Sequence, residues 1–249
     1  MHIVNVKKLD LGYLNSKTIL VTGVSRGIGK AIAEKLLLLE NIVIGTSREL
    51  KSLDELTKNF KKNFYPFELN LESADSIDNL VNNVGKNFGK LDVLINNAGM
   101  LGEIKKLEHC SFKIWSDVIN ANLNNQFLLI KSLLPYLKLS KKASIINLSS
   151  TVGREPRADW GAYAVSKAGF EAVSTILSQE LEDARIIVNT VNPGGTATRM
   201  RKEAFPDEDQ SKIPQPRDIL PIFLYLCSDQ ANETGERFDA RDYIGILEN

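Results

Sequence analysis

Three side chains in the second half of the chain have types and spacing suited to proton transfer: Ser150, Tyr163 and Lys167. Tyr163 and Lys167 stand four apart in Tyr-Ala-Val-Ser-Lys. On a helix they share one face, so the phenol and the ammonium can converge. A free tyrosine titrates near ~10, and service as an acid or base near neutrality asks for a drop of roughly 3 units, or ~4 kcal/mol. One ammonium ~5 Å away, at an effective dielectric of ~20, supplies ~3 kcal/mol. A second positive charge nearby would supply the remainder. Taken alone the spacing is weak, because surface helices carry Tyr-x3-Lys pairs by chance.

Such groups need a frame that holds a reaction partner against them. The stretch from Thr18 to Ala33, TILVTGVSRGIGKAIA, has the form of one. Ile19 to Val21 reads as a short buried strand. Gly23, Gly27 and Gly29 follow, and a helical pattern begins at once with Ile28, Ile32, Leu36 and Leu39 on one side. Strand, glycine turn and helix in that order aim backbone N–H groups and the positive end of a helix dipole at one spot, where a phosphate can sit. The spacing is G-x3-G-x-G rather than G-x-G-x-x-G. A P-loop is excluded, since Gly29-Lys30 is followed by Ala31 and the residue five before Gly29 is Val24. Nucleotide binding is favoured over a ligand-free tight turn.

Strand-like and helix-like segments alternate along the rest of the chain. Strands are expected at 42–47, 64–71, 91–95, 144–148, 186–191 and 237–240. Helices are expected over 48–63, 73–87, 111–137, 161–182 and 216–227, with Pro135 kinking or ending the longest. The pattern predicts an α/β fold: a single-domain, doubly wound Rossmann arrangement with a mostly parallel sheet of about seven strands. One domain spans 1–249, with 1–16 as an N-terminal arm. Ligands bind such sheets at the C-terminal strand ends, so those positions carry the interest.

Strand one is followed by Ser25-Arg26 and strand two by Ser47-Arg48. An acidic residue at the end of strand two reads the free ribose hydroxyl of NAD, whereas arginine suits a 2′-phosphate. Arg26 and Arg48 therefore favour NADP over NAD, although surface arginines are common. Strand three is followed by Asn70 and strand four by Asn96-Asn97-Ala98-Gly99, a composition that also suits a plain turn. In the long helix, Trp115, Val118, Ile119, Leu123, Ile130 and Leu133 form an apolar stripe interrupted by Asn122 and Gln126. Asn122 either makes a structural hydrogen bond between helices or holds a water in a proton path.

In combination these residues resemble a short-chain dehydrogenase/reductase. The matches are Thr22 to Gly29, Asn96 to Gly99, Asn122, Ser150, Tyr163-x3-Lys167, and Pro193-Gly194 with Thr198, in the family's order across nearly the whole chain. The segments 192–198, 204–206 and 238–240 further resemble the YciK-like bacterial oxidoreductases. The resemblance implies a nicotinamide cofactor and hydride exchange with a carbonyl or alcohol. It makes Tyr163 the proton donor or acceptor and Lys167 the group that lowers its pKa and binds the ribose. Ser150 is then the group that polarises the substrate oxygen, and Asn122 the anchor of a reprotonating water chain. Cofactor contacts are implied at Gly23, Ser25, Arg26, Gly27, Ile28, Gly29, Arg48, Asn70, Asn97, Ala98, Gly99, Tyr163, Lys167, Pro193, Gly194, Thr196 and Thr198. Asn97 would line the adenosine ribose through its backbone, and Thr198 would hold the carboxamide. Asn70 replaces a common Asp, Val24 a common Ala, and Thr196 a commoner apolar residue.

By the same resemblance, residues 199–214 are a substrate lid, where Arg199, Arg201 and Lys202 either meet an acidic substrate or form a solvated face. A homodimer or homotetramer is implied, with Phe170, Val173, Ile176 and Leu177 as its apolar surface or as core. Lys plus Arg equals Asp plus Glu at 31 each, which disfavours a nucleic-acid partner. Hydrophobic content is 43% with no transmembrane-length run, so no membrane partner is expected. Cys110, Cys227, His2 and His109 are scattered, so no metal site is expected. The start of the chain lacks a signal-peptide core, and a cytoplasmic location is expected. The competing function is a dinucleotide-binding redox sensor or scaffold with little turnover, which would have no need of Tyr163.

Overall fold

The computed structural model describes Leu14 and residues 16–246. The seven strands are β1 (Thr18–Val21), β2 (Ile42–Ser47), β3 (Phe64–Glu68), β4 (Val93–Asn96), β5 (Ala143–Leu148), β6 (Ile186–Asn192) and β7 (Arg237–Asp239). All pair in parallel, in the order β3-β2-β1-β4-β5-β6-β7. The order reverses between β1 and β4, so the crevice at their carboxyl ends is the expected ligand position.

The helices are α1 (Gly27–Leu38), α2 (Asp54–Asn59), α3 (Ala74–Phe88), α4 (Phe112–Ile119), α5 (Asn125–Leu137), α6 (Thr151–Arg154), α7 (Gly161–Glu180), α8 (Arg199–Ala204) and α9 (Leu220–Cys227). They cover both sheet faces. Ile19, Val21, Val93, Ile95 and Ile146 pack with α1 and α9, whereas Leu20, Ile44, Leu94, Ile145 and Val188 pack with α3, α5 and α7. Period-two alternation between two buried faces is why the strands read as unbroken apolar runs.

Several boundaries differ from expectation. Residues 48–63 form a short 3-10 turn and α2 rather than one helix, and β3 stops at Glu68 instead of residue 71. α5 runs through Pro135 and ends two residues later. The long helix is divided by a π-helical segment, Asn120–Asn124. Of the N-terminal arm only Leu14 and Ser16 lie among the described residues, and Leu14 is buried. Among the described residues no helix is long and apolar enough to cross a membrane. Phe170 and Leu177 are buried on the sheet side of α7 and so belong to the core, while Ile176 is 53% exposed.

Candidate active site

Tyr163 and Lys167 lie one turn apart on α7, both nearly buried, beside the end of β5. Lys167 Nζ donates to the Leu148 carbonyl at 2.7 Å and sits 5.9 Å from the centroid of the Tyr163 ring. Ser150 precedes α6 in extended backbone and does not cap that helix, so its hydroxyl is free to hydrogen-bond Tyr163. Glycine lets α6 and α7 close on each other: a Cβ at Gly153 would fall 2.9 Å from the Lys167 Cβ. The expected phenol, ammonium and serine hydroxyl are thus brought together.

The electrostatics depart from expectation. Burial pushes the Tyr163 phenol up to about 12, and the hydrogen bond with Ser150 only partly offsets this. Burial also pulls Lys167 down to about 8, against the opposing charge of Glu171. The spacing argument had Lys167 lowering the tyrosine. In this site desolvation is the larger effect on the phenol, and at the pH where Tyr163 titrates, Lys167 has already lost its charge.

Asn122 is completely buried in the π segment. Its Oδ1 accepts from the Met100 N–H at 2.7 Å, and its Nδ2 donates to the Met100 carbonyl at 2.7 Å and to Ser166 Oγ at 3.1 Å. Ser166 Oγ in turn donates to the Tyr163 carbonyl at 2.8 Å. Gln126 donates to the Ala98 carbonyl at 2.8 Å. The two amides on the apolar stripe therefore clip the loop after β4 to the helices. The side chain of Asn122 thus makes structural hydrogen bonds between elements.

At the first turn, Gly23 and Gly27 have φ of +73° and +60°, a region that favours glycine. A Cβ at Gly29 would collide with the Gly23 carbonyl at 2.3 Å, so Gly29 serves close packing. α1 has no side-chain cap and no acidic residue in its first turn, which leaves its N–H groups available to an anion. Ile28 packs against the core, Ser25 is half-buried, and Arg26 and Arg48 are exposed. Asn97 donates its backbone N–H to Thr22 Oγ1 at 3.0 Å and its amide to the carbonyls of Thr22 and Gly23 at 2.8 and 3.1 Å. Ala98 N–H also donates to Thr22 Oγ1, and Gly99 is exposed beside Asn122 and Lys167. Asn70 Oδ1 already accepts from the Glu72 N–H at 3.0 Å.

After β6, Gly194 has a φ of +65° and donates its N–H to Asn192 Oδ1 at 3.0 Å. Thr196 is buried and donates to the Pro193 carbonyl at 2.9 Å, so its hydroxyl stabilises the turn rather than facing a ligand. Thr198 Oγ1 accepts from the Arg201 N–H at 3.1 Å, capping α8, and its Cγ2 lies 3.4 Å from where a Gly27 Cβ would stand. The segment after β6 thus approaches the glycine turn. The unspent N–H groups, the two arginines and this enclosed approach fit a phosphate-bearing dinucleotide. Ser25, Arg26, Gly27 and Arg48 would hold its phosphates, while Gly23 shapes the turn and gives its own N–H to Thr46 Oγ1 at 3.3 Å.

Sequence reasoning missed a buried charge network behind Lys167. Glu171, only 3% exposed, accepts from Ser149 Oγ at 2.5 Å and from Arg154 Nε at 3.0 Å, with Arg237 Nη1 at 3.5 Å from its other oxygen. Arg154 also donates to Asp239 at 3.0 Å, whose second oxygen accepts from Asn192 Nδ2 at 2.6 Å. The signal was present: Glu171 stands four after Lys167 and eight after Tyr163, on the same face.

The family described as short chain dehydrogenase matches residues 17–209. The chain is 36% identical over 241 residues to the uncharacterized oxidoreductase YciK of Escherichia coli K12, covering 94% of both. It is 34% identical over 225 residues to a 3-oxoacyl-[acyl-carrier-protein] reductase FabG of Buchnera aphidicola, covering 87% of this chain and 91% of that one. A short chain dehydrogenase of Shigella flexneri 2a, solved as a complex with NADP, superposes with a TM-score of 0.89 at 36% identity, covering 93% of this chain and 100% of that one.

Proposed function

The chain belongs to the short-chain dehydrogenases, and on that footing we propose that it is an NADP(H)-dependent carbonyl reductase with Tyr163 as the proton donor. The observation that carries this reading is the pairing of the buried Tyr163 hydroxyl with Ser150 beside Lys167. When bound, reduced nicotinamide would supply the hydride, so that a carbonyl, one NADPH and one proton give an alcohol and NADP+. The chain supplies the proton and the geometry. A phenol raised to about 12 is fully protonated at neutral pH, the state a general acid needs. An alkoxide is a stronger base than a phenolate, so the proton moves downhill from Tyr163 to the substrate oxygen. Ser150 donates to that oxygen as charge develops on it. Lys167, with a pKa of about 8, titrates close to neutrality and can pass a proton back toward Tyr163. The raised phenol favours reduction over alcohol oxidation, which would need Tyr163 deprotonated first.

The cofactor preference rests on Arg26 and Arg48. Both are exposed, and neither forms an ion pair among the described residues, so both are available to a 2′-phosphate. Asn122 acts as a positioning residue, through Met100 and Ser166. Self-association would use exposed apolar side chains of α5 and α7, namely Phe127, Val165 and Ile176, in place of Phe170 and Leu177. The decisive experiment follows NADPH oxidation with a panel of ketones and aldehydes. Tyr163→Phe should abolish turnover while NADPH affinity stays within about threefold. A variant with undiminished kcat would remove Tyr163 as the acid.

A further inference from the structure

From Tyr163 outward the site is walled by aromatic rings. Trp160, just before α7, lies 6.0 Å from the Tyr163 ring, centroid to centroid, at 51°. Phe205, just after α8, lies 5.8 Å from Trp160 at 38°. Leu101, Met200 and Trp160 pack on Val152, Tyr163 and Ala164 as a cluster separate from the cores of the two sheet faces. Trp160, Phe205, Leu101 and Met200 are all partly exposed. They come from three separate segments, yet converge next to the catalytic phenol. Contiguous, partly exposed apolar side chains around a few polar groups are the usual lining of a small-molecule site.

The two arginines of α8 beside this wall are already paired with carboxylates. Arg201 donates through Nε and Nη2 to Glu208 at 2.6 and 2.5 Å, and its guanidinium lies 3.7 Å over the Phe205 ring. Arg199 donates to Glu203 at 2.7 Å, and Lys202 to the Pro206 carbonyl. On the neighbouring loop Lys105 pairs with Glu103 at 2.8 Å. The lid is closed at its base by Ala197 N–H donating to the Pro214 carbonyl at 2.8 Å. A substrate carboxylate would have to displace an internal carboxylate to gain either lid arginine, whereas an uncharged ring meets the wall as it stands.

Resting on the reading of Tyr163 above, we propose that the substrate is an uncharged ketone or aldehyde bearing a flat apolar group, and that Trp160 and Phe205 set this preference. The reacting carbonyl sits at Tyr163 and Ser150, and the flat group lies along the Trp160 face. Keto acids are disfavoured because the lid's arginines are already paired, and Arg201 holds Phe205 in place through its stacking and its Glu208 pair.

The test uses the full chain with NADPH and four substrates: an aryl methyl ketone, a straight-chain methyl ketone of equal carbon count, the aryl ketone carrying a carboxylate, and a short 3-oxoacyl thioester. The aryl ketone should have the highest kcat/KM, by about tenfold over each of the others. Trp160→Leu, which keeps apolar bulk without the flat face, should lower kcat/KM about tenfold more for the aryl than for the straight-chain ketone, mainly through KM. A binding readout stands beside activity. Trp115 and Trp160 are the chain's two tryptophans, so Trp115→Phe leaves Trp160 as the sole emitter. Titration with the aryl alcohol should then change its fluorescence saturably. Preference for the carboxylate or the thioester, an unchanged aryl ratio in Trp160→Leu, or unresponsive Trp160 emission would each overturn the proposal. Failure of all four substrates would instead overturn the carbonyl-reductase reading on which the proposal rests, and the emission titration would still decide whether the wall binds a ring.

Discussion

Lys167 Nζ donates to the Leu148 carbonyl at 2.7 Å while standing 5.9 Å from the Tyr163 ring centroid, so the end of β5 and the phenol share one cation. Burial at that position makes Lys167 costly to charge, and the cost depends on pH. Its pKa falls from 10.5 unfolded to about 8 folded. Between those values the unfolded chain holds a proton that the folded chain lacks, so stability rises with pH by up to about 3 kcal/mol. Tyr163 works the other way, since its folded pKa is about 12 against 10.0 unfolded, and stability falls as pH rises from about 10 to 12. Urea midpoints from pH 7 to 10 should climb more steeply for the natural chain than for Lys167→Met. Parallel curves would show that Lys167 is not depressed.

Glu171 is the charge that holds Lys167 up against burial. Glu171→Gln keeps an acceptor for Ser149 and Arg154 but removes the charge. Its loss should shift to lower pH the limb of the kcat/KM profile that Lys167 controls. It should also cost about 1–3 kcal/mol of stability, through the partly buried guanidinium of Arg154. A profile that stays in place while stability drops would confine Glu171 to holding α6 against α7.

At the far end of the proposed cofactor site, Arg48 follows β2 and is exposed. Arg48→Ala should weaken NADPH by about tenfold, ~1.4 kcal/mol, and leave NADH nearly unchanged. The loss for NADPH should shrink at high salt, since the contact is exposed. Equal weakening of both cofactors, measured by nicotinamide fluorescence, would take the 2′-phosphate away from Arg48.

Asn122→Leu fills the same space but leaves the Met100 N–H and carbonyl without their clip. About 3 kcal/mol of stability should be lost, since each unpaired group costs about 1–3 kcal/mol. Amide hydrogen exchange at Met100 should accelerate. Unchanged exchange there would mean that the loop after β4 is held by Thr22 and Gln126 alone.

The order of strands and helices was legible because parallel strands buried on both faces leave continuous apolar runs, and helices leave a 3.6-residue stripe. β2 was readable to its last residue for that reason. The glycine turn was readable because Gly23 and Gly27 need positive φ, a local demand. Tyr163 and Lys167 were readable as a facing pair because helical spacing is also local. The polar interruptions Asn122 and Gln126 were visible as anomalies, but their partners, Met100 and Ala98, lie on another element. Which of Phe170, Ile176 and Leu177 faces the sheet depended on how α7 is rotated against it, and only packing sets that rotation.

The sequence by itself determined which side chains share a face and where the backbone can turn, because both follow from dihedral preference and helical period. The tertiary structure decided what those side chains do. It spent Asn97 and Thr196 on turns, paired Arg199 with Glu203 and Arg201 with Glu208, and set the direction in which Tyr163 titrates. The reason is that desolvation and hydrogen-bond satisfaction belong to the whole surround of a group, and that surround is assembled from segments far apart in the chain.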